Sequence, residues 1–200
     1  MQKIELLSPA GGFDKLKVAF LHGADAVYIG GKAFNLRSKS SNFSNQMLEE
    51  AVIYAHSIGK KVYVVLNGFA HCNDLHSIEQ FVLSLDSCQP HAYIISDIGV
   101  ATLVKQLCNT PIHVSTQASL SNHYVGQLWK EIGATRLILA REALDPHLKA
   151  AGAVLDSRLS LKKRAAAAIK AAHVEILKVF NPSPPVPQQS ITLSSVETLV

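Results

Sequence analysis

The sequence lacks the features of an exported or membrane-spanning protein. It has no uninterrupted apolar stretch near the ~18 residues that a transmembrane helix needs, and its start lacks the apolar block of a secretory signal. Its three cysteines, Cys72, Cys88 and Cys108, form no CxxC pair, and an odd number argues against a disulfide framework. We therefore expect a protein of the reducing cytoplasm that makes no membrane contact.

Several catalytic motifs are also missing. A Rossmann sheet carries Gly-x-Gly-x-x-Gly after its first strand, but the first turn here, SPAGG at residues 8–12, has no third glycine. No Gly-x-Ser-x-Gly elbow occurs, so the sequence indicates no hydrolytic triad. The net charge of +4 is too small to predict nucleic-acid binding by itself.

What the sequence does contain is a regular alternation of short apolar runs and helix-like segments. The runs are rich in Val and Ile and nearly continuous, which is typical of strands buried on both faces. Their spacing leaves room for one helix and two loops between successive runs, so the sequence predicts parallel βαβ units. The predicted strands are residues 4–7, 26–30, 62–67, 92–96, 112–116 and 136–140.

These six units predict an α/β fold: an incomplete TIM-barrel-like (β/α) domain over residues 1–145. The regular alternation of apolar runs and helix-like segments ends after residue 145. A helical extension with a further strand is predicted over residues 146–180. Residues 181–200 are rich in Pro and Ser, and we expect a disordered tail there.

Helical stripes lie between the apolar runs, among them Leu75 with Ile78, and Val125 with Leu128. Polar or glycine residues stand at their predicted ends. The predicted N-caps are Asp74, Asp97 and Asn122, and the predicted stops are Gly23, Gly59 and Gly133.

Polar residues follow the predicted strands, and in a barrel the active site forms at the carboxyl ends of the strands. We therefore predict a ligand cavity at this rim, where Arg37 and Arg141 would bind a carboxylate or phosphate through paired hydrogen bonds. The alternative is that such residues only cap helices or pair with nearby carboxylates. The candidate binding residues are Arg37, Asn67, His71, Asp97, His113, Ser115, Gln117, Arg141 and Glu142.

Two further features bear on chemistry. Glu5 lies within an apolar run and needs a partner if it is buried, either as a structural ion pair or as an acid/base group. The His71, Cys72, Asp74 and His76 cluster matches no common metal-site spacing, so we predict no metal site. No residue is assigned a catalytic role.

Several segments form an ordered series along the chain. They are ELLSPAG at 5–11, GADAVYIGG at 23–31, FNLR at 34–37, NF at 42–43, GKKVYV at 59–64 with Asn67, Ser96 with Asp97, PIHVSTQA at 111–118 and LARE at 139–142. In this order they resemble the N-terminal part of the peptidase U32 (collagenase-like) family, and the resemblance covers roughly residues 4–145.

The resemblance implies prephenate-dependent hydroxylation of a tRNA base as the activity, with peptide hydrolysis as the alternative. It also implies an iron–sulfur cluster, but the three cysteines do not occupy ligand positions and four thiolates are the usual requirement. The expected partners are tRNA or another RNA. A third interpretation is a truncated, inactive fragment or an interaction subunit that pairs or self-associates through open strand edges.

Overall fold

The strands and helices alternate along the chain as the apolar runs predict. The computed structural model describes residues 5–36 and 42–140. Within these residues, no helix is both long and apolar enough to cross a membrane. The strands are β1 (Leu7–Pro9), β2 (Ala26–Gly30), β3 (Lys61–Leu66), β4 (Ala92–Ile95), β5 (Ile112–Val114) and β6 (Ala134–Leu137). The α-helices are α1 (Phe13–Leu21), α2 (Asn45–Ser57), α3 (Leu75–Asp86), α4 (Ile98–Leu107) and α5 (His123–Ile132), with 3-10 turns at Cys72–Asp74 and Thr116–Ala118.

The six strands lie side by side in chain order, from β1 to β6, and every neighbouring pair is parallel. A flat sheet would hold β1 and β6 roughly 24 Å apart, at ~4.8 Å for each strand spacing. Yet Glu5 Oε1, just before β1, lies 2.6 Å from Arg136 Nη1 in β6. The sheet is therefore curled, as in a barrel wall, and the predicted parallel barrel-like architecture is confirmed.

Alternation along the strands produces two apolar layers. In β3, Val62, Val64 and Leu66 pack with the helices in the outer core, together with Trp129 of α5. Tyr63 and Val65 face the other way, into a smaller inner core. Because both faces are covered, the strands read as continuous apolar runs rather than as an alternating pattern.

Most helix ends follow the predicted chemistry. The Asp97 carboxylate accepts a hydrogen bond from the Val100 N–H at 2.8 Å, and the Asn122 side chain accepts one from Val125 N–H at 3.2 Å. Gly133 ends α5 with a φ of +105°, a left-handed conformation that glycine adopts without a Cβ clash.

Three details differ from the sequence expectations. Asp74 precedes α3, but its carboxylate accepts from the His71 N–H at 2.8 Å and caps the 3-10 turn instead of the helix. Leu75 and Leu128 are 38% and 46% exposed and lie outside the core, because each helix buries a narrower stripe than predicted. The first strand is predicted at residues 4–7, but β1 spans Leu7–Pro9, because its pairing with β2 begins with Leu7 opposite Ala26.

Candidate functional site

Asn67 connects the carboxyl ends of several strands. Its side-chain Nδ2 donates to Ser115 Oγ at 3.3 Å, beyond the end of β5, and its Oδ1 accepts from the Leu36 N–H at 3.4 Å. Its carbonyl oxygen accepts from Ser96 Oγ at 3.2 Å, beyond the end of β4. The loop after β2 and the ends of β3, β4 and β5 are thereby joined into one polar rim.

Ser115 is the buried part of this rim, at 3% exposure. Its Oγ also accepts a hydrogen bond from the Gln117 N–H at 3.3 Å, which starts the 3-10 turn. The Gln117 side chain is exposed beside it. The structure thus brings three predicted residues, Asn67, Ser115 and Gln117, to one place.

Two other predicted residues have local structural roles at the same end of the sheet. The Asp97 carboxylate is the N-cap of α4. His71 is exposed and begins the 3-10 turn through its backbone. Within residues 5–36 and 42–140, neither side chain hydrogen-bonds to Asn67 or Ser115. Arg37, Arg141 and Glu142 lie outside the described residues, so their binding roles stay predictions.

His113 lies in β5, two residues before Ser115, so the alternation of the strand sets both on the same face of the sheet, and His113 is 6% exposed. Its ring meets the Tyr63 ring edge-on, with centroids 4.6 Å apart. Its Nδ1 is buried and has no hydrogen-bond partner among the described residues. Burial, aided by the positive charge of Arg136, lowers the pKa of His113 to about 3, so the imidazole is neutral at physiological pH.

Next to His113, on the inner face of the sheet, four hydrogen-bonded side chains form what we call the Glu5 cluster: Glu5, Lys61, Tyr63 and Arg136. Glu5 Oε1 accepts hydrogen bonds from Arg136 Nη1 at 2.6 Å and from the Tyr63 hydroxyl at 2.8 Å. Glu5 Oε2 accepts one from Lys61 Nζ at 3.0 Å. The guanidinium also lies over the Tyr63 ring, 5.4 Å from its centroid.

The charges of the cluster are fixed by these contacts. Burial alone would raise the pKa of Glu5, but the hydrogen bonds from Arg136, Tyr63 and Lys61 hold it at about 2. Burial and the neighbouring Glu5 carboxylate raise the pKa of Tyr63. The predicted need of Glu5 for a partner is confirmed. The cluster therefore places an ionised carboxylate and a guanidinium on the inner face at all physiological pH values.

Sequence reasoning missed Arg136 as a member of this cluster. The available signal was a charged residue inside an apolar run, the same signal that marked Glu5. Arg136 follows an irregularity in the pairing of β5 with β6, where Ile112 lies opposite Ala134 and His113 lies opposite Arg136. The extra residue turns Arg136 to the inner face, beside His113.

The cysteines do not fit the iron–sulfur cluster that the family resemblance implies. Cys72 is exposed, while the Cys88 and Cys108 thiols donate to the Leu85 and Val104 carbonyls of the helices that precede them. Across the described part of the chain, no three His, Cys, Asp or Glu side chains come together as metal ligands.

Residues 11–150 match the sequence profile of Peptidase family U32. The chain belongs to peptidase family U32. The tRNA hydroxylation protein P1 of Bacillus subtilis (strain 168) is 42% identical over 142 residues, which cover 70% of this chain and 34% of that protein. The 23S rRNA 5-hydroxycytidine C2501 synthase of Escherichia coli (strain K12) is 36% identical over 140 residues, covering 70% of this chain and 21% of that protein.

Among solved structures, the U32 peptidase Mk0906 aligns with a TM-score of 0.60, covering 95% of this chain and 86% of that one. At 11% identity, this U32 likeness supports the fold alone. The chain spans about a third of the length of the tRNA hydroxylation protein that it matches. The matched U32 region includes the rim and most of the inner face.

Proposed function

We propose that this U32 chain takes part in the hydroxylation of a tRNA base, and that its rim binds the RNA together with a carboxylate-bearing co-substrate. The observation that carries the proposal is the 42% identity to a tRNA hydroxylation protein over the barrel-like part of the chain. That part holds the polar rim built by Asn67 and Ser115. A cytoplasmic location, where tRNA is found, belongs to the same proposal.

The co-substrate that the family resemblance implies is prephenate, which carries two carboxylates. Two arginines would match them, because a guanidinium binds a carboxylate through paired hydrogen bonds. Arg37 follows Leu36, whose N–H is held by Asn67. Arg141 follows Ala140, which is 3% exposed and whose N–H donates to the Leu120 carbonyl at 2.9 Å. The described residue that precedes each arginine is thus held by a hydrogen bond at the rim, which supports these assignments.

The remaining rim residues would orient the bound molecules. Asn67, Ser115 and Gln117 supply neutral donors and acceptors suited to base edges and hydroxyls. His71, Asp97 and Glu142 would complete the lining. Hydroxylation is a two-electron oxidation that needs an oxygen source and an electron acceptor. We assign the residues of this chain to binding and orientation and none of them to the redox step.

Replacing Arg141 with Ala tests the co-substrate assignment. Removing one bidentate contact should weaken prephenate binding to the full chain by at least about tenfold, since a charge-assisted hydrogen bond is worth ~1.5–3 kcal/mol. Isothermal titration calorimetry measures this. Lys105→Ala is the matched control, because Lys105 is an exposed cation in the last turn of α4, at the opposite end of the sheet. Equal affinities for wild type and Arg141→Ala would remove Arg141 from the site.

Peptide hydrolysis is the second candidate, favoured by the name of the matching family. The rim offers it little support, because among the described residues Ser115 Oγ contacts Asn67 and the backbone of Gln117 and not a histidine. Cleavage of gelatin by the purified chain, lost in Ser115→Ala, would favour this candidate. A third candidate is an interaction subunit: β1 and β6 are the edges of the described sheet, and light scattering would detect self-association through them.

A further inference from the structure

Phe69 lies at the rim and faces solvent. It follows Asn67 and Gly68 in the loop after β3, and it is 88% exposed, the largest value among the large hydrophobic side chains of the described residues. A single exposed apolar residue is ordinary on a protein surface. The firmly held backbone that carries Phe69, and the basic sequence of the loop bonded to that backbone, set this one apart.

The backbone that carries Phe69 is tightly held. The Gly68 N–H donates to the Phe34 carbonyl at 2.9 Å, in the loop after β2. A Cβ on Gly68 would lie 2.9 Å from the Phe34 carbonyl carbon, so this close approach requires glycine. One residue earlier, the Asn67 side chain is bonded on both sides, to Leu36 and to Ser115. Phe69 therefore projects from a fixed support, and binding a flat partner costs little ordering of the loop.

The loop joined to this support is basic. Lys32 is exposed there. In the sequence, residues 31–48 contain three basic residues and no acidic one. Proteins bind single-stranded nucleic acid by combining exposed aromatic rings, on which bases stack, with basic side chains that lie near the phosphates.

We propose that Phe69 is a stacking platform for an unpaired base of the RNA substrate, and that Lys32 contacts a neighbouring phosphate. The inference rests on the proposed function and adds the form of the substrate. A base that is to be modified must leave the helical stack or already be single-stranded. Phe69 would hold such a nucleotide over Asn67 and Ser115, whose polar atoms suit the edge of a base.

Fluorescence anisotropy with the full chain tests this, using a fluorescein-labelled uridine heptamer and, as comparison, a labelled RNA duplex. Phe69→Ala and Phe69→Leu should each weaken heptamer binding by about tenfold, while Phe69→Trp should retain it because the π-face is kept. Duplex binding should not change. Leu21→Ala is the matched control, since Leu21 is 83% exposed at the C-terminal end of α1, which leads into the start of β2 at the opposite end of the sheet from the rim.

Lys32→Ala should weaken binding of both RNAs and reduce the dependence of log affinity on log salt concentration by about 0.7 for the heptamer, the value for one phosphate contact. An unchanged salt dependence would remove Lys32 from the contact.

The outcomes separate this inference from the proposed function. If the wild-type chain binds RNA and Phe69→Ala binds the heptamer equally well, the stacking role is overturned and the proposed function stands. If the wild-type chain binds neither RNA, both are overturned. A lower melting temperature for Phe69→Ala and Phe69→Leu, with RNA binding unchanged, would show that the ring packs against protein and would also overturn the inference.

Discussion

Glu5→Gln is the most direct perturbation of the Glu5 cluster, because it removes one charge and keeps the side-chain shape. Three donors hold the pKa of Glu5 at about 2, against its usual 4.5. That difference corresponds to roughly 3 kcal/mol at neutral pH, at ~1.4 kcal/mol for each tenfold change in proton affinity. The Glu5 side chain is 19% exposed and Lys61 is 51% exposed, so solvent screens part of this. We expect Glu5→Gln to lower the free energy of unfolding by about 2 kcal/mol.

The pH dependence follows from the direction of the pKa change. The carboxyl binds its proton more weakly in the folded state than in the unfolded state. Its stabilisation is therefore complete above pH 4.5 and is lost as the pH falls toward about 2. Urea unfolding should show a gap between wild type and Glu5→Gln that is largest near about pH 7 and shrinks steadily below about pH 4.5.

The control is Glu131→Gln, which makes the same charge change at an exposed position of α5. It should alter the free energy of unfolding by less than about 0.5 kcal/mol. A gap for Glu5→Gln that does not change with pH, or that is no larger than the gap for Glu131→Gln, would refute the assigned role of the cluster.

Two further predictions concern other described residues. The His113 resonances in NMR should not titrate between about pH 5 and pH 8, because burial lowers the pKa of His113 to about 3, and an NMR titration midpoint near 6.5 would contradict its burial. Because the unfolded chain binds this proton and the folded chain does not, the free energy of unfolding should fall as the pH drops below 6.5. His113→Phe should flatten that part of the pH profile of unfolding. Asp97→Ala should lower the free energy of unfolding by about 1 kcal/mol through loss of the α4 cap, whereas Asp97→Asn should retain most of it, as measured by urea unfolding; equal losses in both variants would point to a role for the charge itself.

Much of the fold could be predicted because its signals are local. The strand at 26–30 was predicted with its observed bounds, since Gly23 ends the preceding helix and the apolar run stops at Gly30. The last strand was predicted too late, at 136–140 rather than Ala134–Leu137, because Gly133 ends α5 and β6 begins at once. A strand ends where its hydrogen bonding to the neighbouring strand ends, and the local sequence does not contain that information.

The site was harder to predict because its contacts join distant parts of the chain. Sequence reasoning indicated that Glu5 needs a partner but could not select Arg136, which lies 131 residues away. Selecting it requires the curl of the sheet and the irregular pairing of β5 with β6. Asn67 and Ser115 were predicted as separate rim residues, and their hydrogen bond depends on the parallel register that sets both at one height.

Glu5 and Arg136, which form the ion pair, lie 131 residues apart in sequence, so the order of synthesis determines when the pair can form. Each strand pairs with the next one along the chain, so the sheet can grow as it leaves the ribosome. Arg136 is synthesised 131 residues after Glu5, a delay of roughly 7–26 s at ~5–20 residues per second. Lys61 and Tyr63 emerge about midway and provide the first donors to the nascent carboxylate. The Glu5 cluster is therefore completed only after Arg136 of β6 has been synthesised, although Glu5 is the first of the described residues to leave the ribosome.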